Sequence, residues 1–376
     1  MAISRTFAIL SRTMQRIGID VRLTYYRQGG IAGYMRQLVG ALKPAPYDVL
    51  TLHNFRAAET LPFKRINCYT PCHHRFEALA LGVELLSHRL DLLHSPDFIP
   101  PRFGAKHYVI TVHDLAFLLF ATLQTADSLR YYAGQIRRAV RQADQIIAVS
   151  QATKSDLMHL LDVPESKISV IWEGVAGSFK LLDAAEVAAT LTPYRLLDDY
   201  LLFVGTIEPR KNLPGLLQAY SMLRGRYKDL PKLVMVGHKG WLSEDTFQTV
   251  KDLRLQKDVI WLEGVPDGVL PALYNGARVH LMPSLYEGFG FPPLEAMACG
   301  TPTVISDRGA LREIGGNAAL YVDPMEPESI AHGIETLLHD TTLYQTMRER
   351  GLKHVRQFNW GTAAAKTLDV YKKVLA

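Results

Sequence analysis

Two carboxylates stand in the segment of the chain whose pattern is most informative, from Pro283 to Pro302. Its glycines predict a loop after a strand, and its adjacent prolines predict the start of a helix that ends at Gly300. We expect Glu287 in the loop and Glu295 in the first helical turn, with both carboxylates at one cleft mouth. A carboxylate accepts from two O–H groups at once, which suits paired sugar hydroxyls. Ordinary surface glutamates are the alternative interpretation.

Two further features of the second half of the chain favour anion binding. Backbone N–H groups around Phe289 and Gly290 precede the predicted helix, where a negative charge is favoured. Arg210 and Lys211 follow a predicted strand and precede a helix with Pro214 in its first turn. Fixed positive charge at such a place can hold a diphosphate. A solvated turn explains the same two residues equally well.

The first half of the chain contains a glycine-rich turn from Arg27 to Gly33, followed by an amphipathic helix from Tyr34 to Leu42. Glycines such as Gly29 and Gly30 let backbone N–H groups approach a ligand, so the turn suits a phosphate. The spacing differs from the G-x-G-x-x-G fingerprint of dinucleotide sites, and a plain tight turn remains an alternative.

A histidine and an aspartate end the predicted strand from Tyr108 to Asp114. At a strand end, His113 can hydrogen-bond a sugar or a developing charge. The chain has 13 histidines, and most histidines are structural.

A cluster of cysteines and histidines, Cys68, Cys72, His73 and His74, resembles a zinc site only superficially. Adjacent histidines do not easily reach one tetrahedral ion, and two well-separated ligand pairs are missing. No paired-aspartate D-x-D element follows a predicted strand, so we expect neither a zinc site nor a metal-held diphosphate. Cys299 is predicted to pack in the core.

The composition is that of an ordinary soluble protein. The 376 residues are 48% hydrophobic and 21% charged, and the net charge is only +5 without a basic block, which speaks against a nucleic-acid partner. Three irregularly spaced cysteines favour a reducing compartment, so a cytoplasmic location is expected. No apolar run reaches the ~20 residues of a membrane-spanning helix.

The start of the chain has apolar residues at helical spacing, with arginines as its only charges before Asp20. The apolar positions are Ile3, Phe7, Leu10, Met14 and Ile17. A helix packed on its own domain, or a non-native extension, is one interpretation. The other is a basic amphipathic segment, residues 1–16, that lies on the inner face of an anionic membrane.

Short β-rich runs, each closing on a small or polar residue, recur along the whole chain and alternate with helical stretches. They are residues 19–23, 48–53, 90–95, 108–114, 145–150, 168–172, 200–205, 232–237, 259–264, 279–283, 302–306 and 319–322. This pattern predicts an α/β fold of two doubly wound, parallel-sheet domains that face each other across a cleft. The rhythm lapses between Gly174 and Asp199, which an eight-stranded barrel would not show.

Several motifs together resemble the large group-one family of retaining, nucleotide-sugar-dependent glycosyltransferases, which have two facing Rossmann-like domains of the GT-B type. The motifs are Gly205–Leu213, Leu270–Ala277, Glu287–Glu295 and Ala298–Pro302 in the second half, with looser matches at Gly29–Gly30, Val112–Leu115 and Ala148–Ser150. Residues 358–360 and the last helix resemble the closing segment of the family. The resemblance implies an acceptor-side domain over residues 1–180, to which residues 358–376 cross back, and a nucleotide-sugar domain over residues 181–357.

The resemblance also implies roles for individual residues. Glu287 would hold the hydroxyls of the donor sugar, Glu295 the ribose, and Lys211 with Arg210 the diphosphate.

Three further positions carry implied roles. Gly30, within the Gly29–Gly30 turn, would approach the same phosphates from the opposite wall, His113 would contact the sugar near the reacting carbon, and Val265 would help seat the base. Many members carry an arginine where this chain has Thr206, so Arg210 would have to supply the second cation.

The function implied is transfer of a hexose from a nucleoside-diphosphate sugar to a hydroxyl of a glycan or lipid-linked glycan, with retained configuration and without a metal ion or cofactor. The sequences Val-His-Asp-Leu and Glu-Pro-Arg-Lys-Asn resemble those of members that move mannose in surface-polysaccharide assembly. This resemblance favours GDP-mannose over UDP-glucose as the donor. A sugar-nucleotide epimerase of similar build and a non-catalytic sugar-binding protein are the alternatives. The missing signal sequence speaks against the binding protein.

Overall fold

Two parallel β-sheets form the frame of the protein. The structure is a computed structural model that describes residues 14–26, 29–43, 45–121, 126–196 and 199–376. The first sheet has the strand order β3-β2-β1-β4-β5-β6-β7 and the second has the order β10-β9-β8-β11-β12-β13. The strands of the first sheet are β1 (Arg16–Asp20), β2 (Asp48–Asn54), β3 (Lys64–Cys68), β4 (Leu90–Ser95), β5 (Ala105–Val112), β6 (Gln145–Ala148) and β7 (Ile168–Val170). Those of the second are β8 (Tyr200–Val204), β9 (Leu233–Val236), β10 (Val259–Leu262), β11 (Ala277–Met282), β12 (Thr303–Ser306) and β13 (Leu320–Val322).

Helices connect the strands and cover the sheets. In the first half they are α1 (Gly30–Ala41), α2 (Glu77–Leu85), α3 (Ala116–Leu119), α4 (Ala126–Gln142), α5 (Gln151–Leu161) and α6 (Ala184–Leu191). In the second half they are α7 (Leu213–Arg226), α8 (Glu244–Asp252), α9 (Leu270–Gly276), α10 (Phe291–Ala298), α11 (Ala310–Gly315), α12 (Pro327–His339), α13 (Thr341–His354) and α14 (Trp360–Leu375). The predicted pair of Rossmann-like α/β domains is therefore confirmed.

The topology decides where a ligand can bind. In both sheets the chain reverses its direction of winding beside the first strand, between β1 and β4 and between β8 and β11. In open parallel sheets, ligands bind at the carboxyl edge beside such a switch point. Central strands such as Leu201–Phe203 are fully buried because helices cover both faces, so the polar residues gather at this edge.

Each predicted run overlaps a strand, but the bounds of one run are wrong and one strand was not predicted. The predicted strand at residues 19–23 is wrong in its bounds, because β1 ends at Asp20 and a short 3₁₀ helix covers Arg22–Tyr25. The buried Arg22 side chain turns back there and donates to Asp20. The apolar residues of this run therefore do not continue the strand beyond Asp20. Strand β3 was not predicted, because Lys64, Arg65 and Asn67 give it a polar pattern at the edge of the sheet.

The predicted amphipathic segment at the start of the chain falls mostly outside the described residues. Its last apolar member, Ile17, is a fully buried residue of β1 and pairs with Val49 of β2, so a helix through Ile17 is wrong. The interpretation of residues 1–13 as a membrane-binding helix lies outside what the structure describes. Within the described part of the chain, no helix has the length and apolarity needed to cross a membrane.

The last helix returns to the first sheet. The Tyr371 hydroxyl lies 2.7 Å from His94 Nδ1 of β4, and the Trp360 ring packs edge-on against Tyr34 of α1. His94 is fully buried, and burial lowers its pKa to about 3, so it takes part in this contact as a neutral imidazole. The division of the chain between residues 180 and 181 falls in the segment between β7 and β8 and stays a prediction.

The start of α14 leaves no room for a side chain at Gly174. A Cβ atom added there would lie 2.5 Å from the Trp360 backbone nitrogen, so the backbone would have to move. We expect Gly174→Ala to lower the free energy of unfolding by about 1–3 kcal/mol, the usual range for overpacking. Urea denaturation followed by fluorescence measures this change.

The matched control is Gly177→Ala, because a Cβ atom at Gly177 meets no atom within 4 Å. That variant should unfold within about 0.5 kcal/mol of the unchanged chain. Equal destabilisation by both substitutions would contradict the described packing of α14 against Gly174.

Candidate active site

A buried cluster of four charged side chains lies at the switch point of the second sheet. Arg210 and Lys211 stand in a short 3₁₀ helix, Pro209–Lys211, that follows β8, and Glu287 stands in the loop that follows β11. Because β8 and β11 are paired neighbours, both loops leave the same edge of the sheet side by side. The Leu285 backbone N–H donates to the Arg210 carbonyl oxygen at 2.8 Å and ties the two loops together.

The Glu287 carboxylate bridges the two cations. Its Oε2 accepts from Arg210 Nη1 at 2.6 Å and its Oε1 accepts from Lys211 Nζ at 2.7 Å. Burial would raise the pKa of the Glu287 carboxyl, but the charges of Arg210 and Lys211 outweigh burial and lower the pKa to about 2. The structure therefore brings Glu287 into contact with two cations that precede it by 77 and 76 positions in the sequence.

A fourth member of the cluster was missed by sequence reasoning. Glu208 is only 4% exposed, and its Oε1 accepts from Arg210 Nη2 at 2.7 Å. Glu208 precedes Arg210 by two residues in the motif Glu-Pro-Arg-Lys. This closeness in sequence was the signal that could have identified it as a partner of the cations. Two cations and two carboxylates leave the cluster without net charge, and Arg210 with 17% of its side chain exposed is the cation nearest to solvent.

The second predicted carboxylate occupies a separate environment. Glu295 is the fifth residue of α10, one residue beyond the predicted first turn, and its Oε2 accepts from the Tyr274 hydroxyl at 2.8 Å. Burial raises the pKa of Glu295 to about 7, against the opposing hydrogen bond from Tyr274. Among the described residues, no hydrogen bond or ion pair joins Glu295 to Glu287, so the two carboxylates do not form one pair.

The loop between these glutamates touches the first domain. A Cβ atom on Gly288 would lie 1.9 Å from the His113 carbonyl oxygen, so only glycine allows this approach. The Gly288 carbonyl oxygen accepts from Ser150 Oγ at 2.7 Å, and Phe289 is 6% exposed in a core that includes Val149. Gly290 has φ 124° and caps the start of α10. The backbone N–H groups around Phe289 and Gly290, which we call the predicted anion seat, thus lie at the junction of the two domains.

His113 immediately follows β5 and is held on both sides of its ring. Nδ1 lies 3.0 Å from Oε1 of Glu173, and Nε2 donates to the Pro96 carbonyl oxygen at 2.9 Å. Burial lowers the pKa of His113, but the hydrogen bond and charge of Glu173 outweigh it and raise the pKa above its usual value. Glu173 is 1% exposed and was not predicted, because no spacing in the sequence connects it to His113.

The glycine-rich turn lies opposite the start of α10. The helix α1 begins at Gly30, four residues before the predicted start, and Gly29 precedes it with φ 150°. The Cβ position of Gly30 is 3.7 Å from the Phe291 ring, so the turn faces the first residue of α10. The predicted backbone approach from the first domain is therefore directed at the predicted anion seat.

Two predicted positions lie apart from the charged cluster. Thr206 is exposed, and its Cγ2 atom approaches the Cβ position of Gly240 in the loop after β9. Val265 is half-buried against the core around Tyr274, next to Gly264 with φ 69°. No described side chain supplies the arginine that the resemblance places at Thr206, and Arg210 is engaged by Glu208 and Glu287.

The cysteine and histidine cluster has other partners. His73 Nε2 lies 2.6 Å from Oδ2 of Asp97, Cys68 is fully buried, and burial raises the pKa of its thiol to about 12. Within the described ranges no group of three or more His, Cys, Asp or Glu side chains is arranged to hold a metal ion.

Comparisons with known families match both halves of the chain. The family model described as glycosyl transferases group 1 matches residues 196–354, and the model described as glycosyltransferase family 4 matches residues 4–176. The first match contains the charged cluster and Glu295, and the second contains the Gly29–Gly30 turn and His113.

Relatives with assigned names are similar over much of the chain. O-antigen chain mannosyltransferase B of Escherichia coli is 32% identical over 82% of this chain and 80% of its own length. The serotype-specific mannosyltransferase WbdA of Escherichia coli is 30% identical over 71% of this chain, which spans 33% of that longer protein.

A solved structure shares the arrangement of both domains. Sucrose-phosphate synthase from Thermosynechococcus elongatus superposes with a TM-score of 0.79 and 21% identity, over 96% of this chain and 98% of that one.

The raised pKa of Glu295 has a consequence for stability. A carboxyl that ionises near pH 7 in the folded chain and near 4.5 in the unfolded chain binds more protons when folded, so its contribution to stability falls as pH rises between these values. Glu295→Gln removes this loss and still accepts from Tyr274. As pH rises from 4.5 to 7, we expect the free energy of unfolding of the variant to increase relative to that of the unchanged chain by up to about 3 kcal/mol.

Urea denaturation at intervals from acid to slightly alkaline pH measures this difference. Glu349→Gln, at an exposed position of α13, is the control and should show no such trend. A difference between Glu295→Gln and the unchanged chain that does not vary with pH would contradict the raised pKa.

Proposed function

The chain belongs to the glycosyl transferases of group 1, and from this premise we propose that it moves a hexose from a nucleoside-diphosphate sugar to a hydroxyl of a glycan or lipid-linked glycan. We further propose that the anomeric configuration of the hexose is retained. The observation that carries the proposal is the cluster of Arg210, Lys211 and Glu287 at the switch point of the second sheet.

In this proposal Arg210 and Lys211 hold the diphosphate. Cleavage of the bond to the sugar puts negative charge on the departing diphosphate and positive charge on the sugar ring. Cations that are already in place stabilise this charge without rearranging, because the Glu287 carboxylate and the loop contacts fix their positions. Arg210 and Lys211 donate hydrogen bonds to the diphosphate oxygens in this proposal, and the proposed transfer uses no metal ion or other cofactor.

Glu287 has two tasks in the proposed mechanism. Its low pKa keeps it ionised throughout the physiological range, so its oxygens accept hydrogen bonds from sugar hydroxyls. Because both oxygens already accept from Arg210 and Lys211, a bound sugar must use their remaining lone pairs. The same carboxylate therefore fixes the donor sugar relative to the cations that hold the diphosphate.

His113 and the Gly29–Gly30 turn contribute from the first domain. Glu173 and the Pro96 carbonyl oxygen hold the ring of His113, which in this proposal contacts the donor sugar near the reacting carbon. The departing phosphate takes the proton of the acceptor hydroxyl in this scheme, so no separate general base is required.

We propose GDP-mannose as the donor, ahead of UDP-glucose. The similarity to O-antigen chain mannosyltransferase B supports mannose as the sugar. We assign the ribose to Glu295, and its pKa of about 7 supports this assignment because such a carboxyl both donates to and accepts from a hydroxyl. Val265 would contact the base from its half-buried position.

Substitution of one cation tests the proposed grip on the diphosphate. Lys211→Met keeps most of the side-chain volume and removes the charge, so kcat with GDP-mannose should fall about 10²–10³-fold, as for loss of one preorganised donor. Lys366→Met, at an exposed position of α14, is the matched control and should keep normal turnover. Radiolabelled GDP-mannose with a mannose-terminated oligosaccharide measures transfer, and proton NMR of the product reads the anomeric configuration.

The outcomes separate the alternatives. Near-normal transfer by Lys211→Met would contradict the assignment of the diphosphate site. Conversion of the donor to an epimer without any acceptor would favour the sugar-nucleotide epimerase, and binding without turnover would favour a sugar-binding protein.

A further inference from the structure

The helix α2 is apolar on the face that points to solvent as well as on the face that points to the core. Its sequence, Glu-Ala-Leu-Ala-Leu-Gly-Val-Glu-Leu, has only two polar side chains in nine residues. Ala78, Leu81 and Leu85 lie against the first sheet. A helix at the surface of a soluble domain normally carries polar residues on its outer face. An apolar outer face is typical of a surface that binds another molecule or a membrane.

Four large apolar side chains form the outer stripe, which we call the α2 stripe. They are Phe76 with 53% of its surface exposed, Leu79 with 47%, Val83 with 61% and Leu86 with 59%. Their spacing of three, four and three residues places them on one side of the helix. The exposed ring of Phe103 extends the stripe, since it packs against Gly82.

Neither glutamate of α2 gives the stripe a negative charge. Glu77 is 2% exposed and its Oε1 accepts from Arg22 Nη2 at 2.7 Å. Glu84 is half-buried, and its two oxygens accept from the backbone N–H groups of Tyr69 and Thr70 at 2.8 Å. Both carboxylates are thus engaged inside the first domain.

The charges at the border of the α2 stripe are positive. Arg75 precedes the helix, Arg89 follows it, and Arg102 lies beside it because its N–H donates to the Ala78 carbonyl oxygen at 2.8 Å. All three are exposed, and in the ranges that the structure describes none of them has an acidic side chain within ion-pair distance. The guanidinium of Arg75 lies 4.6 Å from the centre of the Phe76 ring, directly at the edge of the stripe.

We propose that the α2 stripe docks on the surface of an anionic lipid bilayer, with Phe76, Leu79, Val83 and Leu86 in the boundary region and Arg75, Arg89 and Arg102 on the headgroups. An apolar helix face bordered by arginines is the combination that binds such surfaces, because apolar burial and attraction to anionic lipids add together. The contact goes beyond the proposed sugar transfer and does not depend on it.

Other occupants fit the stripe less well. A sugar or other small molecule binds in a concave site, whereas the stripe is the outer side of a helix. A second copy of the chain, related by a two-fold axis, would bring the same three arginines towards one another without a compensating acid. A lipid surface with negative headgroups satisfies both the apolar stripe and its positive border.

Co-flotation of the full chain with vesicles tests the proposal. The chain should float with vesicles of phosphatidylcholine mixed with phosphatidylglycerol and bind pure phosphatidylcholine much less. Replacing Val83 and Leu86 together by aspartate should lower the partition coefficient at least about tenfold, because apolar burial is lost. Each of Arg75→Gln, Arg89→Gln and Arg102→Gln should lower it about fivefold, and added salt should reduce that effect.

The matched control replaces Leu242 and Met325 by aspartate, since these are 54% and 58% exposed in the second half of the chain. That variant should float like the unchanged chain. Thermal unfolding confirms that the compared variants are folded, and binding of GDP, measured separately, is not expected to change in any of them.

Three results would overturn the proposal. The first is that the Val83 and Leu86 variant floats as well as the unchanged chain. This result would also overturn the proposal if deletion of residues 1–13 abolished vesicle binding. The second is equal loss in the Leu242 and Met325 control. The third is a concentration-dependent dimer, seen by light scattering, that the stripe substitutions dissociate while vesicle binding is absent in the unchanged chain.

Discussion

The bridge that Glu287 makes between Arg210 and Lys211 is the interaction on which the candidate site depends. Two buried cations on adjacent residues repel each other, and each loses hydration, so they remain in place only if an acid is buried with them. The acid comes from a strand end that is distant in sequence and adjacent in the sheet. This bridge joins the two loops at the switch point and holds the Arg210 guanidinium and the Lys211 ammonium at the carboxyl edge of the sheet. The low pKa of Glu287 expresses the same coupling.

The loop that carries Glu287 also contacts the first domain. Gly288 follows Glu287 directly, and its close contact with the His113 carbonyl oxygen and the Ser150 hydroxyl brings the loop against the first domain. His113 is in turn fixed by Glu173, a buried acid with no other hydrogen-bond partner in the described part of the chain. A chain of short contacts therefore runs from the cations of the second sheet to the imidazole of the first. Residues next to the candidate site thus form part of the contact between the two domains.

The sequence predicted the fold well because buried parallel strands and capped helices leave periodic, local signals. Pro214, Pro292 and Pro293 lie in the first turns of α7 and α10, as predicted. Edge strand β3 escaped because half-exposed positions carry polar residues. The hydrogen-bond partners of the site residues were not predicted for another reason. Glu173 and Tyr274 act through contacts across the fold, and no local spacing encodes which buried acid meets which histidine or which hydroxyl meets which carboxyl.

A crystal structure of the chain with bound GDP-mannose tests the central claim most directly. The account predicts electron density for the diphosphate beside Arg210 and Lys211, facing the Gly29–Gly30 turn, with the mannose hydroxyls on Glu287. It also predicts that the Glu287 carboxylate remains bonded to at least one of the two cations when the nucleotide is present. Density for the nucleotide at another place, without contact to Arg210 or Lys211, would contradict it.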